Sequence, residues 1–262
     1  MIKLIVTDMD GTLLDENGIL PEGFEDILNR LIDKNIKFVV ASGRPYYTLK
    51  SNFGSMSKHL SFICENGSLM VDNNKTIYKS VIEPAYVKEI IETSNKIAGN
   101  SLVLCAENCA YTNAVSEGHL NEIKKYYTNL KIINDLTTIS DDIVKVAICN
   151  LHNSLDNLNN IFKPHFEEKL HVVGSGSVWI DISNKGVNKG LALQSLMKTD
   201  NISKEETMVF GDYYNDVEML SHAEYSFVME NAPENMKQYG KYIAKSNIEH
   251  GVLKAIEEYA LS

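Results

Sequence analysis

The sequence is short of cysteine. Cys64, Cys105, Cys109 and Cys149 are scattered, with no CxxC pair among them. Cys105 and Cys109 are near enough to suggest a metal pair, but the nearest histidines complete no zinc spacing. Reduced thiols and a cytoplasmic protein are the expectation. No apolar run is long enough to span a bilayer, and Met1-Ile2-Lys3-Leu4 leads into a strand-like run without signal-peptide features. Basic residues are outnumbered, 25 Lys and Arg against 35 Asp and Glu, for a formal net charge of −10. An acidic chain does not attract nucleic acid or anionic membrane, so neither is expected as a partner. One positive cleft remains compatible with that charge, and a phosphate could occupy it. There is a single tryptophan, Trp179, read as packing, as for most large aromatics.

What is present is an ordinary globular composition, 44% apolar and 23% charged over 262 residues, enough for one large α/β domain or two smaller ones. Leu4-Ile5-Val6 is too short for a helix and reads as a buried strand. It runs into Asp8 and Asp10, separated by one residue, and then Gly11. In open α/β sheets ligands bind at the carboxyl ends of strands. Two acids there repel each other unless a bound cation lies between them.

The pattern recurs along the chain. Pro21 marks a helix start, with Phe24, Ile27, Leu28, Leu31 and Ile32 at helical spacing. Ile36 to Ala41 is a second buried strand, ending in Ser42-Gly43-Arg44-Pro45. A hydroxyl and a glycine amide before a helix make an anion site. Phe62-Ile63-Cys64 is followed by the tight-turn sequence Glu65-Asn66-Gly67, and residues 69–71 and 76–78 read as a hairpin. From Pro84 to Lys185 helices and strands form a separate α+β unit: helices at 85–96, 117–128 and 155–166, strands at 102–105, 143–149, 170–173 and 178–182. Gly174-Ser175-Gly176-Ser177 is a turn and not a phosphate cradle, since no helix follows it.

Lys185-Gly186-Val187-Asn188-Lys189-Gly190 then opens a helix. A lysine is unfavourable at a helix start, and a bound anion would compensate it. Finally Thr207-Met208-Val209-Phe210, a buried strand, meets Gly211-Asp212-Tyr213-Tyr214-Asn215-Asp216 before another short helix at 217–221. Residues 226–229 read as one more strand, Asn231-Ala232-Pro233 as a helix cap, and 248–261 as a terminal helix.

Taken together these stretches resemble the four motifs of the haloacid dehalogenase (HAD) superfamily, in the branch called Cof-like. Asp8-Met9-Asp10-Gly11-Thr12-Leu13-Leu14 is similar to its DxDGTLL motif and Gly211 to Asp216 to its GDxxND motif. The resemblance covers essentially the whole chain. It implies an α/β fold, a Rossmann-like parallel-sheet core formed by 1–83 and 186–262, with an inserted α+β cap of type C2 (IIB) at 84–185 that covers the site and selects substrate. It also implies roles. Asp8 would be the nucleophile and Asp10 the general acid/base; Ser42, Gly43 and Lys189 would bind phosphate. Lys185 competes with Lys189, and the GVxKG context favours Lys189. Asp8, Asp10 through its backbone carbonyl, and Asp212 would ligate Mg²⁺, supported by Asn215 and Asp216. An acid at position 10 points to a phosphatase or phosphomutase. The expected function is therefore Mg²⁺-dependent hydrolysis of a small phosphorylated metabolite, a sugar phosphate or similar, through an aspartyl-phosphate. The alternatives are a phosphomutase-type phosphotransferase and a non-catalytic sugar-phosphate sensor. The sequence does not reveal the cap residues that set specificity, nor the oligomeric state.

Overall fold

A computed structural model describes residues 1–114 and 116–262. The chain forms two compact units, Met1–Gly43 with Phe53–Ile77 and Asn188–Ser262, and Arg44–Asn52 with Tyr78–Val187. These bounds differ from the sequence-based ones by a few residues at each junction. They also assign 44–52 to the second unit, where the Thr48 hydroxyl donates to the Tyr126 carbonyl at 2.9 Å.

The first unit is built on an eight-stranded sheet. Its strands are β1 (Leu4–Asp8), β2 (Lys37–Ala41), β3 (Ser61–Cys64), β4 (Leu69–Asp72), β5 (Lys75–Lys79), β12 (Thr207–Gly211), β13 (Tyr225–Met229) and β14 (Tyr242–Ala244). They lie in the order β14-β13-β12-β1-β2-β3-β4-β5. From β14 to β3 all pairs are parallel; β3 and β4 are antiparallel. Parallel strands covered on both faces need continuous apolar runs, and every residue of β1 and β12 is buried. Leu4, Val6, Val39 and Val209 of the sheet pack on Ala192, Leu193 and Leu196 of the helix Lys189–Asp200. The chain leaves β1 for β2 on one side and comes back to β12 on the other. That reversal opens a crevice at the carboxyl end of β1.

The second unit has six strands: β6 (Ser101–Ala106), β7 (Ala110–Thr112), β8 (Leu130–Ile132), β9 (Ile143–Cys149), β10 (Leu170–Gly174) and β11 (Trp179–Asn184). Their order is β10-β11-β9-β6-β7-β8, antiparallel except for β7 and β8. Leu102, Leu104, Val146 and Ile148 on one face meet Ile90 and Ile91 of the helix Pro84–Ser94, together with Phe162 and Phe166. On the other face Val103, Cys105 and Ala147 meet Ile123, Tyr127 and Trp179.

Three strands were not expected, β7, β8 and β14. Each has three residues, too few for a period to show in the sequence. The helix expected at Pro21 begins at Phe24, because Gly23 takes the cap position with φ +85°. The helix expected at 117–128 ends at Lys124, and the segment after Pro233 is a 3₁₀ stretch, Glu234–Tyr239. Among the described residues no helix is long and apolar enough to cross a membrane.

Candidate active site

The site begins with the turn after β1. The amides of Thr12, Leu13 and Leu14 all point at the Met9 carbonyl, at 3.4, 3.1 and 2.9 Å. Buried Met9, Leu13 and Leu14 anchor this tight loop. Gly11 sits at φ +80°, and a Cβ there would fall 2.5 Å from Asp212 Oδ2. Only glycine satisfies both the conformation and the space. The register Asp8↔Ala41 and Thr7↔Phe210 puts Ser42 and Gly211 at the strand ends flanking Asp8.

Lys189 ties the site together. It opens its helix behind the Asn188 cap, whose Oδ1 accepts from the Leu191 amide at 2.8 Å, and it is fully buried. Its ammonium donates to Asp8 Oδ1 and, at 2.8 Å, to Asp216 Oδ1. Asp216 Oδ2 in turn accepts from the amides of Asp212 and Tyr213 at 3.1 and 3.2 Å. The Thr12 hydroxyl donates to Asp212 Oδ1 at 3.0 Å. Lys185, the competitor, is exposed.

Asp8, Asp212 and Asp216 each offer a carboxylate oxygen within 4.8 Å of the others. Opposite ligands of an octahedral Mg²⁺ stand about 4 Å apart, so a hard divalent cation fits this oxygen set. Both oxygens of Asp216 are occupied by donors, which leaves Asp8 and Asp212 as the direct carboxylate ligands for such an ion. One ammonium lies among three carboxylates, and the imbalance shows in the titration of Asp8 and Asp212. Burial pushes the Asp8 carboxyl up from its ordinary range; Lys189 opposes the rise, while Asp216 and Asp212 add to it. Asp212 is pushed up to about 6, by burial first and then by the charge of Asp216. Burial alone would depress Lys189, but Asp216 and Asp8 more than offset this and raise it.

A family model for haloacid dehalogenase-like hydrolases matches residues 5–256. The chain belongs to that family. It is 32% identical, over 98% of its length and 96% of the relative's, to the Escherichia coli K12 protein named 5-amino-6-(5-phospho-D-ribitylamino)uracil phosphatase YbjI. The crystal structure of SMU.1108c from Streptococcus mutans UA159 superposes with a TM-score of 0.88 at 34% identity, covering 100% of both chains. A structure described as the HAD subclass IIB sugar phosphatase BT4131 shares the fold, with a TM-score of 0.83 at 22% identity over 99% of this chain and 100% of that one. The chain is thus a HAD-family phosphatase with the IIB fold, a Rossmann-like core and an α+β cap.

Not every expected residue of this HAD phosphatase joins the carboxylate cluster. Asp10 is exposed and its carboxylate lies outside the cluster. Ser42 is buried; its amide donates to the Ile63 carbonyl at 2.8 Å, and its carbonyl accepts from Asn66 at 3.0 Å. Gly43 approaches the same asparagine, since a Cβ on it would meet Asn66 Nδ2 at 3.2 Å. Asn215 is exposed and donates to Asn66 Oδ1 at 3.4 Å.

Two supporting residues escaped the sequence reading. Asn231 Nδ2 donates to the Gly11 carbonyl at 2.8 Å, and Asn247 Nδ2 to the Leu14 carbonyl, also at 2.8 Å. The Asn247 amide completes the link by donating to Asn231 Oδ1 at 3.1 Å. They brace the turn that carries Asp8 and Asp10. No local signal marks them, since their partners lie more than 200 residues away. Trp179 is a packing residue: it is buried against Tyr126 and Tyr127, with Nε1 donating to Glu122 at 3.2 Å. All four cysteines are buried thiols.

Proposed function

We propose that this phosphatase hydrolyses a small phosphorylated metabolite, a sugar phosphate or similar, in a Mg²⁺-dependent reaction that passes through an aspartyl-phosphate on Asp8. The observation that carries the reading is the buried Lys189 bridging Asp8 and Asp216, with Asp212 alongside. Asp8, the Asp10 carbonyl and Asp212 would hold the ion, with Asp216 and Asn215 fixing their surroundings. Bound Mg²⁺ would offset charge on the phosphoryl oxygens.

The protein's own groups then account for the chemistry. Lys189 orients Asp8 and neutralises part of the phosphoryl charge, while the Ser42 hydroxyl and Gly43 amide donate to the remaining oxygens. An Asp8 carboxylate oxygen attacks phosphorus, the ester P–O bond breaks, and Asp10 gives its proton to the leaving alcohol. Asp10 next takes a proton from water. The water oxygen attacks phosphorus, releasing phosphate and restoring Asp8. Asp10's exposure suits a proton carrier that must meet both an alcohol and a water. In this reading 1–83 with 186–262 carries the chemistry, 84–185 selects the substrate, and the metabolite is drawn from the cytoplasm.

The test is phosphate release from a panel of phosphorylated metabolites, with and without Mg²⁺, beside Asp8→Asn. The substrate named for the E. coli relative heads the panel. Metal-dependent release that falls by about 10³-fold or more in the variant is expected. Equal release by the variant would overturn the mechanism. Failure on every substrate until a bisphosphate activator is added would replace hydrolysis with phosphoryl transfer.

A further inference from the structure

We infer that Asn66 is a positioning residue that clasps the phosphate-binding turn to the metal loop, so that a phosphoryl group and Mg²⁺ meet in register at Asp8. The inference rests on the phosphohydrolase reading, in which Ser42 and Gly43 hold the phosphoryl group and Asn215 belongs to the surroundings of the ion. Those residues stand on the loops after β2 and β12. The two strands do not pair with each other, because β1 lies between them. The sheet therefore holds each loop only at its own strand end.

The turn after β3 supplies the missing link. The Asn66 amide donates to the Ser42 carbonyl at 3.0 Å, and its carboxamide lies against Gly43, where a Cβ would stand 3.2 Å from Nδ2 and 3.3 Å from Oδ1. The same Oδ1 accepts from Asn215 Nδ2 at 3.4 Å. In the sheet β3 and β12 are three strand spacings apart, about 14 Å, with β1 and β2 between them. All four strands run parallel, so the contact between Asn66 and Asn215 crosses the carboxyl ends of β1 and β2, where Asp8 and Ser42 stand.

The turn holds a conformation that few residues adopt. Glu65, Asn66 and Gly67 have φ of +51°, +54° and +105°, three left-handed residues in succession. Such backbone gathers at functional sites. Gly67 packs so closely on Asn188, the cap of the helix that Lys189 opens, that a Cβ would fall 2.5 Å from the Asn188 carbonyl oxygen. The turn thus meets the starts of three loops that the mechanism uses. As a turn it requires of Asn66 only the left-handed backbone, which glycine would supply as well. Nothing in the turn requires the carboxamide to lie between Gly43 and Asn215, so that side chain is the part with a further role.

Asn66→Gly separates the two, since it removes the carboxamide and keeps the backbone. Calorimetry should find the Kd for Mg²⁺ alone within about twofold of the wild type, because Lys189 and not Asn66 holds the carboxylates. The Kd for orthovanadate, a phosphate mimic, measured in saturating Mg²⁺, should weaken about tenfold or more, with kcat/KM for p-nitrophenyl phosphate falling by the same order. Equal weakening of both ligands would mark a merely structural residue and overturn the proposal, as would an unchanged Kd for orthovanadate. A double-mutant cycle adds a second reading. Asn66→Gly and Asn215→Ala break one contact, so their joint loss in kcat/KM should be smaller than the two single losses combined, and strict additivity would dismiss the clasp. If the wild type bound no orthovanadate in Mg²⁺, the hydrolase reading would fail and the clasp with it. If both proteins bound it equally, only the clasp would fail.

Discussion

Two buried polar clusters of this chain, one in each unit, are completed in opposite ways. In the second unit, Asn100 Oδ1 accepts from Asn150 Nδ2 at 2.8 Å and from Asn157 Nδ2 at 3.3 Å, while its own amide reaches Ser94 Oγ at 3.1 Å. Asn150 Oδ1 takes the amides of His152 and Asn153 at 3.1 and 2.9 Å. Every group in that network is neutral and matched, so it joins loops and strands without demanding anything more. At the carboxyl edge of the first sheet one ammonium lies among three carboxylates and donates to two of them, so the arrangement is incomplete in charge. A matched network is architecture. An unbalanced one, held in place by a fully buried lysine, would be completed by a bound cation.

Lys189→Met should break the contrast most severely. It leaves Asp8 and Asp216 buried without their cation, a loss of about 3–5 kcal/mol. Calorimetry should show a Tm lower by roughly 10 °C, and activity should vanish. Restoring much of that Tm with the double variant Lys189→Met/Asp8→Asn would show that the uncompensated charge, not lost packing, was the cause. An unchanged Tm in the single variant would dissolve the contrast.

The charge imbalance also predicts a pH effect. Asp212 titrates at about 6 in the fold against 3.8 when unperturbed, so the folded state holds the extra proton between those values. Metal-free protein should therefore lose stability as pH rises from about 4 through 6, by the order of 2–3 kcal/mol from this group. Thermal melts with EDTA should show that decline, and melts with Mg²⁺ should reverse it most strongly above pH 6. A metal-free Tm that climbs across this window would contradict the assignment of the shift.

Asn150→Ala tests the neutral side. It strips a partner from Asn100 and from two amides, costing about 1–3 kcal/mol, and should leave metal dependence untouched. The smallest effect is expected for Trp179→Phe. It forfeits the bond to Glu122 while preserving most of the ring packing, for about 1 kcal/mol or less by denaturant melts. A large drop in kcat from either substitution would mean that the second sheet takes part in the chemistry.

The polar ends of β1, β2 and β12 were legible because each follows a short apolar run, and a strand that stops on Asp, Ser or Gly announces itself locally. Strand β9 was legible for the same reason, to its end residues. Strands β7, β8 and β14 were not, because three residues carry no period and pair only because neighbours present their edges. Asn231 read as a helix cap. Its bond to the Gly11 carbonyl exists only because β13 and β1 lie in one sheet, so nothing near it in the chain could have declared that purpose.

By itself the sequence determined which residue types stand at which strand ends, and hence the family and its chemistry, since such motifs depend on neighbours along the chain. Only the tertiary structure decided that Lys189 is buried between Asp8 and Asp216, that Asp216 has both oxygens engaged, and that two distant asparagines brace the first turn. Those are relations between segments far apart in the chain, set by packing and charge compensation rather than by local pattern.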